Sequence, residues 1–356
     1  MMTEKVYRQA VLVLLPFRLT AIVCRLAVLS LTCSAACCSA AAKPVTAEQL
    51  QRTVADASGT SDDEMEAQLG GLVLTERLSP AKLAYCEANL PGPHARRALM
   101  ALADVAAFLE LPAAEIPSAA APDVAAQRQM LALTVNYVIK TVHQLPNFFA
   151  TRTTTSFQLP ENKSWSSSGK SSVKVVYRKG EEVVDAGARQ GGSNQGLASS
   201  GEFGPILGTV MLDAAQGALS WSHWEQGLEG KEAVFSFSVS AAKSHYELAY
   251  CCIEKYGSPP VVFKSFSGYH GEIAVDPANG TILRLVLRAD LKKSDPFSKA
   301  DIFVEYGPVE IGGKTYICPV KSAAYSVSEW REIGTWLNAV SFEQYHVYRA
   351  DTRILP

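Results

Sequence analysis

The stretch EIAVDPANGTILRLVL, residues 272–287, decides the fold. Leu283, Leu285 and Leu287 alternate with Arg284, and Arg288 follows. A period of two puts the leucines on one strand face and the arginines on the other. Asp276-Pro277-Ala278-Asn279-Gly280 is turn chemistry, so residues 273–286 read as a β-hairpin.

The same rhythm extends in both directions. Residues 300–320 read as a second hairpin, turned at Gly312-Gly313, and residues 341–354 as a closing strand. Upstream, residues 218–226, 232–240, 245–253 and 261–266 read as strands. Residues 173–184 form a hairpin turning at Lys179-Gly180. A short helix is expected over residues 203–215, after a Gly/Ser loop. Before Pro146 the period is helical instead. Ser61 and Ser79-Pro80 are helix starts, residues 93–111 carry an apolar stripe, and Asp123 opens a further helix that Pro146 ends.

The expected fold class is therefore α+β: a helical region over residues 43–145, then a curved antiparallel β-sheet, a half-barrel with a short internal helix, over residues 146–356. One sheet face is persistently apolar. Phe235, Phe237 and Val239 share a side, as do Tyr246, Leu248, Tyr250 and Cys252. Such a surface must be covered by helices or by a ligand.

Residues 1–42 read as a secretory signal. Arg8, Arg18 and Arg25 precede an apolar run, and small residues follow up to Ala42. The arginines interrupt the run, which disfavours a membrane span. Cys37 follows small residues as a lipidated cysteine would, but lacks the usual leucine at −3. The expectation is a periplasmic or extracellular protein.

The formal charge is −2. Removing residues 1–42 takes away four basic residues and one acidic residue, leaving −5. A mild acidic excess argues against a nucleic-acid surface. Four cysteines remain after residue 42: Cys86, Cys251, Cys252 and Cys318. An even count in an oxidising compartment permits a disulfide, expected between Cys318 and Cys252 or its neighbour Cys251.

No catalytic motif stands. Gly312-Gly313-Lys314-Thr315 lacks the first glycine of a phosphate loop, and Pro308 occupies that position. No G-x-S-x-G elbow occurs. The densest chemical cluster is Trp221-Ser222-His223-Trp224-Glu225. Regular alternation would place Trp221, His223 and Glu225 on one face. His223 and Glu225 could ligate a metal, but no third ligand lies nearby in sequence. No metal or cofactor is expected.

Thr75-Glu76-Arg77-Leu78-Ser79, Leu90-Pro91-Gly92-Pro93, residues 145–152, residues 201–207 and residues 304–314 resemble a family of uncharacterised secreted bacterial proteins, over most of the chain after residue 42. That resemblance implies no activity. More distantly, residues 272–287 and 300–320 resemble the hairpins of the periplasmic lipoprotein-carrier (LolA-like) fold. That fold holds acyl chains in a helix-capped half-barrel. The resemblance implies a non-enzymatic binding protein for lipid or an acylated partner. The geometric reading puts Phe235, Phe237, Tyr246, Tyr250 and Leu285 in the cavity wall. An envelope module that binds protein through its helical region is the runner-up, and a secreted hydrolase with His223 in its site is a third reading.

Overall fold

The computed structural model describes residues 42–160, 164–191, 196–253, 261–330 and 333–347. The side chains of 141–143, 185–189, 191, 251 and 252 are not described. Ser39–Pro356 forms one compact unit. The segment expected to be a signal, up to residue 41, and with it Cys37, lies outside the described residues.

Local chemistry starts each helix of the first region. The Thr46 hydroxyl accepts from the Gln49 N–H, and the Gln49 side chain accepts from the Thr46 N–H, which opens α1 (Ala47–Ala55). Ser61 and Glu64 do the same for α2 (Asp62–Gly70). Pro80 and Pro93 occupy first-turn positions of α3 (Pro80–Asn89) and α4 (Pro93–Ala106), where no N–H is required. Two short strands, β1 (Lys43–Val45) and β2 (Leu72–Leu74), pair in parallel beside these helices. Leu50, Met65, Leu69, Cys86 and Leu99 form the buried centre of the bundle. α5 (Val124–Gln144) follows a Pro/Ala-rich loop.

The remaining chain builds a curved, open, ten-stranded antiparallel sheet. Its first strands are β3 (Phe148–Leu159), β4 (Ser166–Arg178) and β5 (Glu181–Gly191). Lys179 and Gly180 both take positive φ, 53° and 84°, as a tight hairpin turn demands. Then come α6 (Pro205–Gln216), β6 (Ala218–Gln226) and β7 (Lys231–Val239). β8 (Glu247–Ile253) and β9 (Val261–Phe266) pair only with each other among the described strands. β10 (Gly268–Val275), β11 (Ile282–Asp290), β12 (Lys299–Ile311), β13 (Lys314–Val327) and β14 (Thr335–Val347) are the remaining described strands. The order across the sheet is β5-β4-β3-β14-β13-β12-β11-β10-β7-β6.

Residues 284–288 sort onto the two faces as expected, but a register shift beside the turn skips Leu283, and Ile282 takes the place on the apolar face that alternation assigned to Leu283. Leu285 and Leu287 join Phe235, Phe237, Ile273 and Val304 on one face. Met130 and Val138 of α5, with Ile206, Leu207, Val210 and Met211 of α6, pack onto it. Arg284 and Arg288 point the other way, where Phe108, Val286, Phe303, Ala323 and Leu337 cluster beneath α4. The molecule is thus three layers, with helices on both sheet faces. The helical region and the sheet do not separate at residue 146, because α5 and α4 cover opposite faces. Among the described residues, no helix is long and apolar enough to cross a membrane.

Candidate functional site

The five side chains expected to line an open apolar cavity do not come together as one wall. Phe235, Phe237 and Leu285 are fully buried beneath α5 and α6, so helices cover this face. Burying such a side chain contributes about 1.5–3 kcal/mol, and the protein's own helices supply that burial. Tyr246 packs at the margin of this core, its ring 5.6 Å from that of Tyr269. Tyr250 sits in another cluster, with Phe297 at 5.1 Å. Its strand β8 belongs to the small separate sheet, so Tyr250 never joins the face of Phe235.

Cys318 is a free, buried thiol, and burial pushes its pKa up to about 12. The expected Cys318 disulfide is not formed. Cys318 faces Phe148, Tyr177 and Phe203, whereas Leu248 and Ile253 of the Cys252 strand pack with Leu197 and Phe297. The Cys251 and Cys252 side chains lie outside the described residues.

A cavity of about 460 Å³ does open beside the apolar core, under α5. Leu133, Asn136, Tyr137, Lys140 and Gln144 line it at helical spacing. Asn279 and Thr281 of the β10–β11 turn and Thr315, Tyr316 and Ile317 of β13 close the other sides. Tyr137 and Ile317 also pack against the main core. Gly280 fixes this geometry. Its φ is +77°, and a Cβ there would stand 2.3 Å from the Leu133 backbone carbon. The turn therefore rests directly on the backbone of α5, which only glycine permits. Cavities of about 490 and 500 Å³ elsewhere lie between α2, α4 and β4, and along residues 291–298.

The second candidate is polar and lies at the edge of the sheet. A β-bulge falls between Trp221 and His223. Trp221 pairs with Phe235 while His223 pairs with Val234, so Ser222 is the extra residue. The bulge overturns the expected face. Trp221 and Trp224 meet on the apolar side with ring centroids 4.7 Å apart. His223 and Glu225 turn to the arginine side.

There Glu225, 3% exposed, receives three partners. Arg77 Nη2 lies 2.5 Å from its Oε1, Arg284 Nη1 lies 2.6 Å from its Oε2, and His223 Nε2 lies 2.9 Å from its Oε1. Burial pushes the Glu225 carboxyl up. The hydrogen bond from His223 and the charges of Arg284 and Arg77 outweigh burial and hold it well below the usual carboxylate range. Behind the pair lies a cavity of about 50 Å³, bordered by Arg77, Asp104, Arg284, Glu305 and Lys321. Lys321 Nζ meets Asp104 Oδ1 at 2.5 Å. The geometry binds the helical region to the sheet through charge. Sequence pattern alone could not show this, because Arg77 lies 148 residues from Glu225.

For a metal, the described residues offer one grouping. Asp63, Glu66 and His94 place ligand atoms within 4.8 Å of one another at the surface, where His94 Nδ1 already bonds Asp63 Oδ1 at 2.6 Å. Comparison with protein-family models, curated proteins and solved structures returns no match.

Proposed function

We propose that this chain is a binding protein for an amphipathic ligand, an acyl chain with an anionic end, seated between α5 and the sheet. The observation that carries this reading is the cavity of about 460 Å³ beside the apolar core. Its volume falls in the range of small-molecule sites, about 300–1,000 Å³. Leu133, Tyr137, Leu145 and Ile317 offer apolar contact, and Lys140 offers a cation to a carboxylate or phosphate end. Phe235, Phe237 and Leu285 support this site from within the core and do not line it. Export with loss of residues 1–42 belongs to the same reading, supported by the basic, apolar, small order of that segment. Amino-terminal sequencing of the secreted protein tests the export step.

Titration with a fluorescent fatty acid tests the ligand. Saturable binding is expected, and Lys140→Glu should weaken it about tenfold, near 1.4 kcal/mol. Lys140 is exposed, so the fold should be unaffected. Folded protein that binds neither fatty acid nor acylated peptide ends the reading. A protein-binding module then takes its place, and exposed Val135, Ile139 and Leu212 on α5 and α6 are the side chains to substitute.

A further inference from the structure

Ser222, at the bulge, is exposed on β6, which ends the main sheet among the described strands. Its Oγ lies 2.8 Å from His223 Nδ1. His223 Nε2 lies 2.9 Å from Glu225 Oε1. These two contacts fix the imidazole tautomer. Glu225, clamped by two arginines, is a carboxylate and only accepts. The proton between it and His223 therefore sits on Nε2. In the neutral imidazole Nδ1 is then the lone-pair nitrogen, and it accepts from the Ser222 hydroxyl. A nucleophile, a base and a buried group that orients the base stand in line. The His223 side chain is 16% exposed and that of Glu225 is 4% exposed, so the relay runs from the surface inward.

We propose that Ser222 and His223 form an acyl-transfer centre that cleaves carboxylic esters, with Glu225 as its positioning residue. In the first half, Ser222 Oγ bonds to the ester carbonyl carbon while its proton passes to His223 Nδ1. The carbonyl π pair moves to oxygen and returns as the carbon–oxygen bond to the alcohol breaks. The departing alkoxide takes the proton from Nδ1. In the second half, water attacks the acyl-Ser222 carbonyl and gives a proton to Nδ1. The acid leaves, and Ser222 Oγ recovers that proton. Ester and water become acid and alcohol, and no other reactant is needed. Glu225 stays ionised and holds the transient imidazolium through Nε2–H. Arg77 and Arg284 fix its two oxygens so that it cannot turn away. The centre shares no residue with the cavity under α5, so the two readings stand or fall separately.

A fluorophosphonate probe, with peptide mass spectrometry of the adduct, is the test. One phosphonyl group is expected on Ser222 of the folded protein. Ser222→Ala should remove that adduct and lower p-nitrophenyl acetate hydrolysis at least twentyfold. Ser222 is exposed, so this variant should keep its fold, which circular dichroism checks. Folded wild-type protein without the adduct overturns the proposal, as does ester hydrolysis unchanged by Ser222→Ala. The positioning role has its own readout. The imidazole ¹⁵N shifts of His223 should report Nε2–H and a lone pair at Nδ1 in the wild type, as the bond to Glu225 Oε1 requires. An Nδ1–H imidazole in the wild type also overturns the proposal.

Discussion

The two faces of the ten-stranded sheet are covered by different physics. Under α5 and α6, apolar side chains such as Phe235, Ile273 and Leu285 meet others of their kind, and no direction is imposed. Under the first helices, Arg77 and Arg284 meet Glu225, Lys321 meets Asp104, and Arg288 Nη2 donates to the Phe108 carbonyl at 2.6 Å. Apolar burial degrades gradually, because each removed methylene costs a little. A buried ion pair fails abruptly, because the surviving partner is left charged and dry. The difference teaches that the same sheet tolerates change on one face and depends on completeness on the other.

Glu225→Ala should break the contrast open. It leaves Arg77 and Arg284 buried without their acceptor, and urea denaturation should show a loss of about 3–5 kcal/mol. Replacing all three together, Arg77→Met with Glu225→Leu and Arg284→Met, should come within about 1 kcal/mol of the wild type or exceed it. A small loss in Glu225→Ala alone would erase the distinction between the faces. On the apolar face Leu285→Ala should cost about 3 kcal/mol, with no comparable rescue from its neighbours.

Acidity separates the faces further. Glu225 is held low, so its contribution is present above about pH 4.3, the ordinary glutamate value, and is lost on acidification below it. Asp301, also on the arginine face, goes the other way. Burial raises its pKa to about 6 against the charges of Arg288, Lys299 and His270. Its contribution is full below about pH 3.9 and is lost as pH rises through about 6. Stability of the wild type measured at pH 7 and pH 4.5 should include this loss, roughly 2 kcal/mol, and Asp301→Asn should remove that share while the share of Glu182, raised by burial to about 7, remains. A variant with the wild-type slope would move the effect elsewhere.

The sequence showed the elements and hid their meetings. Ser61, Ser79-Pro80, Lys179-Gly180 and Gly312-Gly313 were readable because caps and turns are local chemistry. The capping box of Thr46 and Gln49 was equally local, yet the helix it opens escaped the reading. The apolar face of Phe235 and Leu285 was legible from alternation. What covers it was not, since α5 and α6 reach it only in three dimensions. The bulge at Ser222 defeated the pattern at the decisive point. One inserted residue reverses every side chain after it, and regular alternation assigned Trp221 to the side of His223. Tyr250 and Cys318 failed for a related reason: strand rhythm does not name the sheet to which a strand belongs.

The place of β14 has a consequence in time. The last described strand pairs with β3 on one edge and β13 on the other, as Leu337 lies opposite both Phe157 and Tyr325. Until Thr335–Val347 arrives, β5-β4-β3 and the strands from β13 to β6 are two unjoined fragments. A chain made from its amino terminus must hold β3 with an open edge while residues 158–337 are still being made. Such long-range closure is slow and leaves pairing groups exposed to other chains. Completion of the sheet is therefore a late event in the life of each molecule, set by the arrival of Thr335–Val347 rather than by the folding of the helices before β3.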